Sequence, residues 1–196
     1  MTERIGAIVL AGGRSSRFGR DKLAEIVDGR PLLERAIGAA EAVATDVVVV
    51  AAPDSNPALP KDVLIAHDPV AFEGPLAGLA AGLAALDPAV DRLIVVAGDM
   101  PSLVPAVLGR LLDRVASGAD AAILAHDDDP MPLPMALRRE SAQRAVGELL
   151  GSGERRLRAL ADVLDAAVIA ESTWRAQDPT AATLLDIDTP EDLPSA

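Results

Sequence analysis

Ile5-Gly6-Ala7-Ile8-Val9-Leu10-Ala11-Gly12-Gly13-Arg14-Ser15-Ser16-Arg17-Phe18-Gly19-Arg20-Asp21-Lys22 carries a short apolar run straight into two glycines and a small polar loop. The run has the length and character of a strand buried on both faces. Glycine allows backbone N–H groups to come close to a ligand. Consecutive N–H groups in a tight loop form a concavity that favours anions. Arg14, Arg17 and Lys22 add the cations that a triphosphate needs. Open α/β sheets bind nucleotides just past the carboxyl ends of their strands. The stretch therefore reads as the first strand of such a sheet followed by a phosphate-handling loop. Its spacing is neither that of a P-loop nor Gly-x-Gly-x-x-Gly, because the glycines fall at 12, 13 and 19.

Outward from this loop, strand-like and helix-like stretches alternate. Residues 31–43 predict a helix with Leu32, Leu33, Ala36, Ile37 and Ala40 on one face. Residues 46–51 and 92–97 are β-branched runs of buried parallel type, and 63–66 is a shorter one. Residues 74–86 predict an alanine-rich helix with Pro75 in its first turn, and 102–115 a helix capped by Ser102. Residues 119–125 read as a further strand. The order β-α-β-β-α-β-α-β predicts an α/β fold, a three-layer sandwich around a mostly parallel sheet. Pro130-Met131-Pro132-Leu133-Pro134-Met135-Ala136-Leu137 is expected at an edge or in an ordered loop, since prolines lack N–H donors. Helices are expected at 139–150 and 153–164, and strands at 167–170 and 184–188. Thr189-Pro190 then has the form of a capped helix start. Asp28-Gly29 is a tight-turn pair, and Asp127-Asp128-Asp129 a solvated acidic loop. No repeat or long linker divides residues 1–196, so one domain is expected.

Half of the 196 residues are hydrophobic, with two Phe, one Trp and no Tyr, so the core must be aliphatic. A net charge of −12 argues against nucleic acid as a partner. Against that background the basic loop at 14–22 reads as a focused anion site. The absence of cysteine excludes disulfides and thiolate metal sites. Neither a leader-like segment nor a bilayer-length apolar run is present, so no membrane association and a cytoplasmic location are expected.

Three further features carry chemistry. The run Val95-Val96-Ala97 delivers Gly98-Asp99-Met100-Pro101. A carboxylate at the carboxyl end of a buried strand suits Mg²⁺; a turn aspartate bonding its own backbone is the other reading. Next is His67-Asp68-Pro69, followed by Gly74-Pro75-Leu76-Ala77-Gly78, a breaker pair opening a helix. His67 reads as an exposed histidine. Asp68 adds a carboxylate just ahead of that helix start. Last, Gly153-Glu154-Arg155-Arg156-Leu157-Arg158 opens a helix with a run of arginines, which by itself reads as a charged face.

The string Leu-Ala-Gly-Gly-x-x-x-Arg-Phe-Gly-x-Asp-Lys at 10–22 resembles the signature loop of nucleotidyltransferases, and within them the molybdenum cofactor guanylyltransferases. Phe18 stands where that family usually has Met. Gly98-Asp99-Met100-Pro101, Gly74-Pro75-Leu76-Ala77-Gly78 and the stretch 186–193 extend the resemblance over nearly the whole chain. It implies a Rossmann-like nucleotidyltransferase fold. It also implies that Leu10, Ala11, Gly12, Gly13, Lys22, Asp68 and Asp99 contact the nucleotide. The Asp68 carboxylate could accept from the N1–H and N2–H₂ edge of guanine, which adenine does not offer, or make another pocket contact. The Gly-Glu-Arg-Arg run at 153–156 could meet an acceptor phosphate. Lys22, Arg17 and Asp99 would be catalytic, with Asp99 holding Mg²⁺. The substrates implied are GTP and molybdopterin, with or without molybdenum, and molybdoenzyme apoproteins are candidate partners. Two positions depart from the family: Asp186 and Asp188 stand where it has asparagines, and Ala51-Ala52-Pro53 where it often has one. The acidic pair could add metal coordination or repel an anionic acceptor. The alternatives are a sister enzyme using CTP or GTP on another phosphorylated acceptor, and a non-catalytic nucleotide-binding module that delivers cofactor.

Overall fold

A computed structural model of the chain describes residues 4–12, 18, 21–68 and 74–193. Its centre is a seven-stranded sheet in the order β5-β4-β1-β6-β8-β7-β9. These are β1 (Arg4–Ala11), β4 (Asp46–Ala51), β5 (Leu64–His67), β6 (Val90–Ala97), β7 (Ala121–His126), β8 (Asp129–Arg138) and β9 (Ala167–Ile169). Only β8 runs against its neighbours; the β1–β4, β1–β6, β4–β5 and β7–β9 pairs are parallel. A separate hairpin, β2 (Ile26–Val27) and β3 (Arg30–Pro31), turns through Asp28 and Gly29. Both turn residues have positive φ, the conformation a two-residue hairpin loop requires.

Strand alternation builds the three layers. Ala7, Val9, Val47, Val49, Ile94 and Val96 face one side, against α1 (Leu32–Glu41) and α3 (Pro105–Ala116). Ile8, Val48, Val50, Leu93 and Val95 face the other, against α2 (Pro75–Ala85), α4 (Arg139–Gly151) and α5 (Leu157–Val163). A strand covered on both faces has no polar side to show, which is why β4 and β6 read as unbroken apolar runs. The α1 face is the expected one: Leu32, Leu33, Ala36, Ile37 and Ala40 are all buried. The short α6 (Glu171–Trp174) buries the one tryptophan, whose indole N–H donates to the Ala125 carbonyl at 2.9 Å. Among the described residues no helix is long and apolar enough to cross a membrane.

Three expectations need correction. The proline-rich stretch is not at an edge: β8 lies between β6 and β7. Its pairing with β6 uses Met135 to Arg138, which contain no proline. Against β7 the register jumps from Ile123↔Met135 to Leu124↔Met131. Pro132, Leu133 and Pro134 are thus left out of the ladder as a bulge. The missing N–H donors fall where no central pairing is asked of them. Second, 184–188 is not a strand. The places beside β6 are already taken by β1 and β8, so this segment reaches only the loop beyond β6, through Ile187 N–H to the Asp99 carbonyl at 3.0 Å. Third, Ser102 does not cap α3. The helix starts at Pro105, and the N–H of the preceding Val104 donates to Thr183 Oγ1 at 3.1 Å.

Candidate active site

From β1 the chain moves out to β4 and β5, then crosses back through α2 to β6 on the opposite side of β1. That reversal leaves a crevice at the carboxyl ends of β1, β4 and β6, the place where open α/β sheets bind ligands. A cavity of about 230 Å³ opens there. Leu10, Ala11 and Gly12 border it along β1, Ala52, Ser55 and Pro57 along the β4–β5 connection, and Pro75 and Leu133 close it. Lys22 and Asp99 project into it.

Local structure aims both charged groups. The Gly98 N–H continues the β1–β6 ladder to the Leu10 carbonyl at 2.9 Å, which brings Asp99 beside Gly12. The Asp21 carboxylate accepts the Leu23 N–H at 3.1 Å and so caps the short 3₁₀ turn at 22–24 that carries Lys22. Lys22 Nζ lies 2.7 Å from Asp99 Oδ2 and 3.4 Å from Asp188 Oδ1. The Lys22 and Asp99 side chains are only 14% and 22% exposed, so water screens this pair poorly. Asp99 Oδ1 is buried and has no hydrogen-bond partner among the described residues. Burial above all, and then the charges of Asp188 and Asp99, push the Asp186 carboxyl above its ordinary range. Two carboxylates therefore meet one ammonium, with a third, Asp186, within reach of their charges. A partnerless buried carboxylate oxygen in an acidic surrounding is the donor chemistry that suits a hard divalent cation.

Of the expected site residues, Leu10, Ala11, Gly12, Lys22 and Asp99 meet around this cavity. Gly13, Arg14 and Arg17 lie outside the described residues. Asp68 is buried and tied to the end of β4 through its N–H on the Ala51 carbonyl, 3.1 Å. It is not among the described residues lining the cavity. His67 is exposed, with Nδ1 3.1 Å from the Ala52 carbonyl. The two neighbouring arginines divide. Arg155 Nη1 donates to the carbonyls of Leu150 and Glu154 at the end of α4. Arg156, 79% exposed, pairs with Glu154 at 2.7 Å. That guanidinium, with the N–H groups of Arg155 and Arg156, pulls the Glu154 carboxyl down to about 2. Ser55 and Pro57 carried no signal in the sequence, whereas Leu133 lies in the proline-rich stretch already set apart as an edge strand or ordered loop. The proline-rich run was the signal for Leu133, because residues outside a ladder are free to face a ligand.

A second polar group lies at the end of β7, where His126, Asp127 and Glu171 bring ligand atoms within 4.8 Å of one another, a set able to hold a divalent cation. The Glu171 oxygens already accept from Arg175 Nε at 2.7 Å and from the Asp127 N–H at 2.9 Å.

Residues 7–168 match the model of the MobA-like NTP transferase domain. A protein of Chloroflexus aggregans described as a probable molybdenum cofactor guanylyltransferase is 35% identical, over 96% of this chain and 91% of its own. One of Natronomonas pharaonis with the same description is 34% identical, over 100% and 98%. The crystal structure of molybdopterin-guanine dinucleotide biosynthesis protein A from Archaeoglobus fulgidus shares the fold, with a TM-score of 0.77 at 24% identity over 95% and 94% of the two chains. The three-layer sheet, the glycine loop and the facing lysine and aspartate thus come together in a chain that belongs to the MobA-like NTP transferase family, and is a nucleotidyltransferase.

Proposed function

We propose that this protein transfers GMP from GTP to the terminal phosphate of molybdopterin, forming the guanine dinucleotide cofactor and releasing pyrophosphate. The observation that carries this reading is the Lys22–Asp99 pair facing Gly12 in the β1–β6 crevice, in a chain whose full-length relatives bear the guanylyltransferase name. An oxygen of the acceptor phosphate attacks the α-phosphorus of GTP, the bond to the bridging oxygen breaks, and pyrophosphate leaves with the electron pair. No covalent enzyme intermediate is required, so catalysis rests on alignment and charge neutralisation.

In this reading the Gly12 backbone and Lys22 receive the triphosphate, and Gly13 and Arg17 belong to the same loop. Asp99 would hold Mg²⁺, its Oδ1 having no hydrogen-bond partner among the described residues, with Asp186 and Asp188 beside it. Bound there, the cation neutralises phosphate oxygens and the leaving pyrophosphate. The Asp68 carboxylate reads the guanine edge, and the exposed Arg156 is offered to the acceptor phosphate. The reaction fits a cytoplasmic enzyme that passes its product to molybdoenzyme apoproteins.

A second reading is favoured by the acidic tail alone: Asp186 and Asp188 suit a less anionic acceptor, or one taken with its own cation. Pyrophosphate release with Mg²⁺ and molybdopterin, compared across GTP, CTP, ATP and UTP, tests both. Release with GTP alone supports the guanylyltransferase. Release with CTP instead moves the chain to a cytidylyl reaction. Nucleotide binding with no release in any case removes molybdopterin as the acceptor.

A further inference from the structure

We infer that Lys22 and Asp99 hold each other back in the nucleotide-free protein: the Lys22 ammonium sits on Asp99 Oδ2, beside the Oδ1 that a divalent cation would take, and repels that cation, so cation and triphosphate each open the site for the other. The inference rests on the roles given to the two residues above. Their 2.7 Å contact joins a group assigned to phosphate with a group assigned to metal. While the contact stands, the ammonium repels a cation at Asp99 Oδ1, and Asp99 Oδ2 holds the ammonium back from phosphate.

The two partners differ in freedom. Asp99 is fixed on both sides, by Gly98 N–H on the Leu10 carbonyl at 2.9 Å and by Ile187 N–H on its own carbonyl at 3.0 Å. Lys22 is carried by the Asp21-capped turn, and its four-carbon stem lets the ammonium reach more than one partner, Asp99 and Asp188 among them. A triphosphate over Gly12 offers that ammonium more negative charge than Asp99 does. Its departure leaves Asp99 uncompensated beside Asp186 and Asp188, a setting that now demands a cation. Run the other way, a cation on Asp99 displaces the ammonium, which then demands an anion. Linkage makes the two effects equal in size.

The test removes each partner in turn and looks for a gain. Mn²⁺ is titrated into nucleotide-free protein, the free ion being read by electron paramagnetic resonance. Lys22→Met should bind Mn²⁺ about tenfold more tightly than wild type. GTP is titrated in EDTA by calorimetry, and Asp99→Asn should bind it about tenfold more tightly than wild type. A lysine or aspartate that acts only as a more distant charge would give a gain that high salt abolishes, whereas the gain from breaking a poorly exposed 2.7 Å contact persists in salt. Mn²⁺ binding no tighter in Lys22→Met overturns the inference, as does metal-free GTP binding no tighter in Asp99→Asn. Either arm decides alone if one variant fails to fold. A wild-type protein that binds no nucleoside triphosphate would refute the functional reading, while the Mn²⁺ arm would still judge the pair.

Discussion

Replacing Gly74 by Ala should destabilise the protein sharply, and the size follows from two separate terms. Gly74 has φ 93° and ψ 167°, a backbone region essentially closed to residues with a Cβ. Forcing alanine there costs roughly 1–3 kcal/mol. The new Cβ would also lie 2.9 Å from Arg155 Cβ and 3.0 Å from the Arg155 carbonyl oxygen. That oxygen cannot retreat freely, because it accepts the Leu76 N–H at the start of α2, 3.2 Å. Overpacking adds about 1–3 kcal/mol, or retreat leaves the Leu76 N–H unmet at a similar cost. A total near ~3 kcal/mol corresponds to a fall of roughly 6–12 °C in melting temperature for a chain of this size. Circular dichroism melts of Gly74→Ala and Gly29→Ala separate the terms. Gly29 has φ 78° but nothing within 4 Å of an added Cβ, so only the backbone term of about 1 kcal/mol applies. If Gly74→Ala melts no lower than Gly29→Ala, the packing of residue 155 on the α2 start has been misread. Pro75 lines the cavity, so a GTP KM unchanged in Gly74→Ala would separate stability from site geometry.

Asp99→Ala should lower the rate of pyrophosphate release by at least about a hundredfold while shifting the melt only slightly; near-normal turnover would remove Asp99 from the reaction. Asp186→Asn should melt higher than wild type at pH 7. The raised Asp186 carboxyl means that the ionised form opposes folding, a penalty that grows as pH rises through the ordinary carboxylate range and is complete above the folded value. The advantage of Asn should therefore vanish in melts taken below about pH 4. Gly109 lies inside α3 with nothing within 4 Å of an added Cβ, so Gly109→Ala should stabilise by about 0.5–1 kcal/mol in a denaturant titration. A loss instead would mean that this face of α3 is covered.

The first half of the fold was legible because its signals are local. The Ile5 run, the α1 face and the Asp28-Gly29 turn each follow from periodicity or turn chemistry within a few residues. The second half depends on neighbours distant in sequence. Nothing in residues 130–137 says that three of them will leave the ladder so that Met135 to Leu137 can enter the middle of the sheet. The helix after Asp99 looked as though Ser102 would cap it, yet the contact at its start comes from Thr183. The site divides in the same way. Lys22 and Asp99 follow from loop and strand-end chemistry, whereas Ser55 and Pro57 lie in a connection whose composition carries no signal.

Asp188 reaches Lys22 across 166 positions of sequence, and the carboxylates of Asp99, Asp186 and Asp188 repel one another, so something must hold the tail in place. Three attachments do so. The buried Asp178 carboxylate accepts from the N–H groups of Ala182 and Thr183 at 3.0 and 2.7 Å, closing the loop before the tail. Burial would raise this carboxyl, but those donated hydrogen bonds bring it below its ordinary range. Thr183 then receives the Val104 N–H. Ile187 is fully buried with Phe18, Val27 and Leu32, and its own N–H is on the Asp99 carbonyl. Burying one isoleucine is worth about 1.5–3 kcal/mol. Each hydrogen bond adds roughly 0.5–1.5 kcal/mol. Repulsion between partly exposed like charges, at an effective dielectric between that of a protein surface and water, costs on the order of 1 kcal/mol. The apolar anchor therefore outweighs the repulsion, and the acids stay at the site without a cation to gather them. Because Phe18 belongs to the glycine loop and Ile187 to the tail, the same small cluster fixes the phosphate side and the acidic side relative to each other. The pairing of Lys22 with Asp99 is then a property of a framework already set, and only the lysine stem has to move when nucleotide arrives.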